Sequence, residues 1–385
     1  MNFEGTLNSR YTLVLLAILL LSFVALCLYY GLMWMRVARY KNSKLPQPDE
    51  LGPKDRPSVS VVIVSHNEAE SLKKSLPYLL EQDYPNYEVV VVDYMSADDT
   101  PFVLRVCSEN YPNLKVVKFK DDVNMFKGKK YPLSIGIKSA TGDVVLLTEP
   151  DCSPKGFDWI SEMVCGYMRG ASMVIGYSLI NGGKGLLNAL ESYENLTYTA
   201  SYMGAALMGN PYTATGRDLS YRRDFFFGRG GFISHYSIPD GADDLFVNQN
   251  ANRANTAVTL REGAGVVCDG SHTLGEWRLK RLHRRSTRRY YSLKDKLQLS
   301  VYPLSQLLFI LALVLLFVGG ICPWQLLVGV MAVKIIWQIV CCMLLTKRFQ
   351  IKTLHFLSPF FEIYFLISDT IIALSSLRKK NVQWR

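Results

Sequence analysis

SVVIVSHNEAESLKKSLPYLLEQDYPNYEVVVVD, Ser60 to Asp93, is the stretch on which the fold turns. Two short aliphatic runs bracket a segment, 68 to 81, whose apolar residues recur at helical spacing. Unbroken Val and Ile runs are those of strands covered on both faces, and a strand, a helix and a second strand in this order make a parallel βαβ unit. The pattern continues outward. SVSVVIVS (58 to 65) and YEVVVVD (87 to 93) read as strands, 99 to 110 as a helix, NLKVVKF (113 to 119) as a strand, 131 to 140 as a helix and DVVLLTE (143 to 149) as a strand. Such alternation predicts a Rossmann-like α/β domain with a mainly parallel sheet.

Ligands of such sheets bind beyond the carboxyl ends of the strands. Polar residues gather there: SHNE after the first strand, VDYMSADDT after the second and TEPD after the last. GxGxxG and the Walker lysine loop are both missing, which argues against dinucleotide oxidoreduction and ATP hydrolysis. Glu149 and Asp151 flank Pro150, whose bend turns both acids the same way. Paired hard oxygen ligands suit Mg²⁺ or Mn²⁺, which complete their shell with substrate phosphates. The plainer alternative is a solvated turn with acids as caps.

Residues 11 to 35 run without a charge, longer than the roughly 20 residues needed to cross a bilayer, and no small-residue cleavage site follows. This is an expected anchor. A second uncharged run, Leu297 to Val333, is broken by GGICP into spans near 299 to 318 and 324 to 345. Arg36, Arg39, Lys41 and Lys44 follow the first span while Arg10 alone precedes it, so the intervening domain is expected in the cytoplasm. Lys347, Arg348 and Lys352 agree. The last apolar stretch, 354 to 377, holds Pro359, Glu362 and Asp369 and is flanked by Arg378, Lys379 and Lys380, favouring an interfacial or re-entrant helix pair. Lys334, inside the third span, calls for a partner, and Glu362 and Asp369 are the candidates.

The net charge of +10 is concentrated beside the apolar segments, most densely in EWRLKRLHRRSTRRYYSLKDK, Glu276 to Lys296. Anionic lipid headgroups, and not nucleic acid, are the expected partner. Eight cysteines form no CxxC pair, and four of them lie in apolar segments. They read as reduced packing thiols, with neither a disulfide framework nor a zinc site expected.

Five motifs stand in a particular order: the opening stretch, SADDT, KGKKYPLSIGIKSATGDVVLLTEPD, TGRDLSY and DGADDLF, followed by membrane spans. In that order the chain resembles the membrane-anchored family 2 glycosyltransferases of GT-A fold, relatives of cellulose, chitin and hyaluronan synthases. The resemblance implies an α/β GT-A-type cytoplasmic domain plus α-helical transmembrane segments. The expected divisions are an anchor at 11–35, a catalytic domain at 56–275, a basic interface segment at 276–298, a hairpin at 299–346 and the helix pair at 350–378.

It also implies roles by position. Donor binding falls on His66, Asn67, Glu68, Asp93, Lys129 and Asp151, with Tyr94 where a second acid is common. The DxD motif becomes Glu149-Pro-Asp151, binding Mn²⁺ or Mg²⁺. The catalytic base is Asp243, with Asp244 the rival under a one-residue shift. Gly216, Arg217 and Asp218 lie on the acceptor side, a structural pair of Asp218 with Arg222 or Arg223 being the alternative there. Lys280, His283 and Arg284 occupy the place of the QxxRW motif of processive synthases, as diphosphate or interface residues.

The implied activity is an inverting, metal-dependent transfer of a sugar from a nucleotide-sugar donor to a membrane-associated acceptor, lipid-linked or glycan, at a bacterial inner membrane. Losing the QxxRW tryptophan argues against polymerisation. A processive polysaccharide synthase and a catalytically silent sugar-nucleotide-binding scaffold remain the alternatives. An oligomer or a partner membrane protein is a further expected partner.

Overall fold

A computed structural model describes residues 3–42, 45–50, 52, 56–119, 128–181, 183–351 and 354–378. Of the charges invoked above, Lys44, Lys352, Lys379 and Lys380 lie outside the described residues. The chain forms two compact units, one spanning Tyr40–Tyr290 and one made of helices from both ends of the chain.

In the helical unit, α1 (Phe3–Tyr29) continues through a π-helical turn, Tyr30–Met35, and a last turn, Arg36–Ala38.

The Tyr40–Tyr290 unit begins with the expected alternation: β1 (Val59–Ser65), α2 (Ala69–Leu80), β2 (Tyr87–Tyr94), α3 (Thr100–Asn110), β3 (Leu114–Phe119), α4 (Lys130–Ser139) and β4 (Val144–Leu147). Every residue of β1 and β4 is buried, which is why those runs carry no polar alternation. Leu72, Leu76, Leu79 and Leu80 of α2 join Val59, Val61 and Ile63 of β1 in the core. α4 lies so close to the sheet that a Cβ on Gly136 would sit 2.8 Å from Val62 and Val92.

After β4 come β5 (Cys152–Pro154), α5 (Trp159–Val164), β6 (Met173–Ile175), β7 (Tyr177–Ile180) and α6 (Leu186–Leu207). The unit closes with β8 (Leu219–Arg222), α7 (Arg223–Gly228), α8 (Asp244–Asn250), β9 (Thr256–Val258), β10 (Gly265–Cys268) and α9 (Leu274–Ser286). The main sheet has the order β3-β2-β1-β4-β8-β6-β9, with β8 antiparallel to both its neighbours and the other pairings parallel. The register Ser65↔Asp93 brings the polar ends of β1 and β2 level. β5, β10 and β7 form a second sheet of three strands.

The cysteines depart from expectation. Cys152 and Cys268 form a disulfide between β5 and β10, across a sequence separation of 116. The two are partners in the antiparallel register, so the pairing arises from the sheet and leaves no spacing signature in the sequence. The other six cysteines are free.

The helical unit is completed by α10 (Leu293–Val318), α11 (Trp324–Phe349) and α12 (Leu354–Arg378). Arg10–Ala38, Leu293–Val318 and Trp324–Phe349 are long and apolar enough to cross a membrane. One helix, α12, stands where a helix pair is expected. Pro359 removes the N–H that would reach the His355 carbonyl, and the Ser358 hydroxyl donates to that carbonyl instead, at 2.7 Å, so the helix continues through the proline. Lys334 pairs with Glu362, as the sequence predicts, and not with Asp369. Tyr30, Tyr302 and Gln306 also donate to Glu362, while Lys334 donates to Gln338 at 3.0 Å.

Candidate active site

A cavity of about 640 Å³ opens at the carboxyl edge of the main sheet. Its walls come from the segments after β1 and β4, the start of α4, the turn before β8, the loop before α8, and α9. Four of the five motifs supply these walls, SADDT being the exception, and α9 adds a segment outside them, so residues far apart in sequence face one space.

On the rim after β1, His66 and Glu68 line the cavity. His66 Nδ1 lies 2.6 Å from the Tyr94 carbonyl, and Glu68 accepts from Ser71 Oγ at 2.8 Å. Asn67 adopts φ +56°, its N–H donating to Ser96 Oγ at 2.9 Å and its Oδ1 accepting from Ala97 N at 2.8 Å. Asn is one of the few side chains that tolerates this conformation. Asp93 is buried and accepts from Ser96 N at 3.3 Å. Asn67 thus ties the end of β1 to the segment after β2, Asp93 holds the turn of that segment, and neither is among the residues lining the cavity.

Glu149 is held on both oxygens. Lys129 Nζ reaches Oε1 at 3.1 Å and Arg217 Nε reaches Oε2 at 3.0 Å. Burial alone pushes its carboxyl up, but the two cations outweigh that and hold it well below the ordinary carboxylate range. Asp151 has no such clamp. Burial raises it to about 6, against the attraction of Arg217 and with the help of Glu149's charge. The sulfurs of Cys152 and Cys268 lie near its carboxylate, within 4.8 Å, but they are bonded to each other and not available as ligands. Asp151 therefore fits a hard divalent cation as a single carboxylate ligand, whereas Glu149 is committed to Lys129 and Arg217.

The two acids of the GADDL motif are separated by their surroundings. Asp243 is partly exposed to the cavity, and its Oδ2 accepts the Gly216 N–H at 2.6 Å. Asp244 is buried, its carboxylate accepting from Leu245 N at 2.8 Å and from Thr287 Oγ1. Gly216 and Arg217 also line the cavity.

Asp218 does not, which corrects its expected acceptor-side place. It is 0% exposed and accepts from Trp159 Nε1 at 3.1 Å and Tyr177 N at 2.8 Å, pairing with neither Arg222 nor Arg223. Burial drives its carboxyl well above the ordinary range. Both lie in the turn just before β8, which sends Arg217 to the cavity and Asp218 to the core.

Lys280, His283 and Arg284 of α9 all line the cavity. Lys280 pairs with Glu276 at 3.0 Å, His283 Nδ1 lies 3.0 Å from Asp240 Oδ1, and the Arg284 guanidinium sits 4.6 Å from the Tyr198 ring centroid. Glu194 of α6 fastens the helix by accepting from Trp277 Nε1 at 2.8 Å and pairing with Arg281 at 3.2 Å. Sequence reasoning missed Lys130, Glu194, Asp240 and Thr287. Nothing in the local sequence separates Lys130 from its lysine neighbours, and the other three matter only once α6, α9 and the loop before α8 meet.

Residues 60–227 match Glycosyl transferase family 2. The probable glycosyltransferase YdaM of Bacillus subtilis is 31% identical over 150 residues, 38% of this chain and 35% of that protein. The glycosyltransferase AglE of Haloferax volcanii is 28% identical over 226 residues, 57% of this chain and 69% of that protein. The chain thus spans about a third of the length of the first relative and about two thirds of the second. Among solved structures, mannosyltransferase PcManGT from Pyrobaculum calidifontis, in complex with GDP-Man and Mn²⁺, superposes with a TM-score of 0.61 at 21% identity, covering 96% of this chain and 99% of that one. Residues 60–227 thus carry a Glycosyl transferase family 2 domain, and the chain shares its fold with that mannosyltransferase.

Proposed function

We propose that the chain is an inverting glycosyltransferase that moves a sugar from a nucleotide-sugar donor to a membrane-associated acceptor in a single displacement. The carrying observation is that Asp151 and Asp243, from segments ninety residues apart, face one cavity beside the Lys129–Glu149–Arg217 cluster. Asp243 removes the proton from the acceptor hydroxyl. The Gly216 N–H fixes Asp243 Oδ2 and leaves Oδ1 to take that proton. Lys129 and Arg217, held in place by Glu149, face the departing diphosphate, with Lys280 and His283 along the same cavity. Asp151 would hold a divalent metal ion, which supplies positive charge to the diphosphate when bound. Asp244, closed off by Thr287, orders the loop and is not the base.

The mannosyltransferase of similar fold was captured with GDP-Man and Mn²⁺, which makes GDP-sugars with Mn²⁺ the first donors to try. The three apolar helices support an acceptor at a membrane, lipid-linked or as a glycan, and the basic residues after α1 favour a cytoplasmic face for the domain. The test is nucleoside diphosphate release by the detergent-purified chain across a panel of UDP- and GDP-sugars, with Mn²⁺ or Mg²⁺ and membrane lipid extract, beside Asp151→Asn and Asp243→Asn. Release from one donor that needs metal, Asp151 and Asp243 is the expected result. Silence with every donor refutes the reading. Full turnover by Asp243→Asn refutes the base, and long polymer on a defined acceptor refutes single transfer.

A further inference from the structure

Lys130, the first residue of α4, is 2% exposed. Its ammonium donates to three backbone carbonyls of a distant segment: His235 at 2.9 Å, Ile238 at 2.6 Å and Asp240 at 2.5 Å. Three donors meet three acceptors, so the charged group is fully used and a neutral amine would leave one carbonyl without its proton. The approach at this end of α4 is close enough that a Cβ on Gly128 would lie 2.3 Å from the Pro239 oxygen.

The gripped segment leads straight to Asp243. Gly241, at φ +94°, makes the turn into Ala242 and Asp243, a conformation that favours glycine. From another side, His283 Nδ1 and Ser286 Oγ of α9 hold the Asp240 carboxylate at 3.0 and 2.8 Å. The Gly216 N–H holds Asp243 itself. Lys129, next in sequence to Lys130, binds Glu149 at the donor end of the cavity.

We propose that Lys130 is a positioning residue for glycosyl transfer: by holding the carbonyls of 235–240, it sets the Asp243 carboxylate in register with the donor groups that Lys129 serves. The inference rests on the glycosyl-transfer reading and extends it, since Lys130 does not line the cavity and acts through the loop. Charged and titratable groups around it are Asp240, Asp243, Asp244 and His235, with His283 beyond Asp240 and Lys129 beside it. Burial lowers the ammonium to about 8, the three carboxylates opposing the fall. Its charge is therefore lost within a pH range that kinetics can follow.

The experiment compares wild-type full-length protein with Lys130→Gln and Lys130→Arg in detergent, measuring nucleoside diphosphate affinity by calorimetry, kcat and KM, and kcat from pH 6.5 to 10. Displacing a reacting group by about 1 Å costs on the order of 100-fold in rate, so Lys130→Gln is expected to lose about that in kcat while its nucleotide affinity stays within about twofold. Lys130→Arg, which stays protonated, is expected to keep at least about a tenth of wild-type kcat and to move the alkaline limb up by about one pH unit or more. A Lys130→Gln kcat within about threefold of wild type, or a parallel loss of kcat and nucleotide affinity, overturns the proposal. If Lys130→Gln does not fold, Lys130→Arg decides, and an unmoved alkaline limb overturns the proposal. Silence from the wild type with every donor refutes glycosyl transfer itself and this inference with it; loss confined to the variants speaks to Lys130 alone.

Discussion

The Cys152–Cys268 bridge makes the most quantitative claim. It closes a loop across a separation of 116 residues, and the chain-entropy relation assigns such a loop about 5 kcal/mol of stabilisation, acting through the unfolded chain. A unit of roughly 250 residues unfolds with an entropy of about 0.5 kcal/mol/K, so losing the bridge lowers Tm by about 10 °C. The perturbation is the Cys152→Ala/Cys268→Ala double variant, beside wild type with and without dithiothreitol. Thermal unfolding of the full chain in detergent is followed by tryptophan fluorescence at one scan rate. Thiol titration of the denatured protein should find six free thiols before reduction and all eight after it. A Tm change under about 2 °C in the double variant, or eight thiols in unreduced wild type, refutes the bridge or its energetic weight. The same count decides a conflict. Disulfides persist in oxidising compartments, whereas the proposed orientation, drawn from the basic residues after α1, gives this domain a reducing cytoplasm, so protein trapped with alkylating agent at lysis shows which of the two inferences gives way.

Other measurements bear on the site and the helical unit. Asp151, raised to about 6, binds its proton more tightly when folded, so protons compete with metal: Mn²⁺ affinity should fall about tenfold per pH unit below 6 and show no such slope in Asp151→Asn. Glu149→Gln frees Lys129 and Arg217; because all three side chains are partly exposed, the stability loss should stay near 1–2 kcal/mol and kcat fall about tenfold, with Mn²⁺ affinity unchanged. A metal-affinity loss equal to that of Asp151→Asn would place the ion on Glu149 as well. Lys334→Met leaves the buried Glu362 carboxylate without its cation and should cost about 3–5 kcal/mol in denaturant unfolding, about half or more of it recovered in Lys334→Met/Glu362→Gln. No recovery in the double variant would show that the pair is not coupled.

How far the sequence carries the fold depends on the kind of burial involved. β1, β2 and β4 are legible because strands covered on both faces must be continuous aliphatic runs, and α2 because one apolar stripe meets them. Lys127, Lys129 and Lys130 look alike in sequence, yet Lys130 is buried and Lys129 is ion-paired, since their fates depend on the 235–240 segment and on Glu149. Asp218 beside Arg217 is the same lesson at one-residue resolution: a motif locates both, and only the turn before β8 separates cavity from core. Cys152 and Cys268 are brought together by the register of β5 on β10, which no local pattern encodes.

The charge of the cavity bears on how a donor is received. Among the described residues its lining carries eight carboxylates, including Asp151, Asp240, Asp243 and Asp269, against four Lys and Arg residues. Those four are already engaged, Lys129 and Arg217 with Glu149, Lys280 with Glu276, and Arg284 with Tyr198 and Glu194. A diphosphate entering such a space meets like charge, and repulsion between close anions is expensive where water is scarce. Among the described residues the fixed cations, Lys129 and Arg217 included, are offset in part by acids of the site, so positive charge arriving with a donor adds to what they offer it. Asp151, left without a cationic partner, is where a divalent ion gains most, and binding there lowers the penalty of burial that holds the carboxyl at about 6. On the proposed glycosyl-transfer reading the arrangement would couple metal and donor, each making the cavity less hostile to the other.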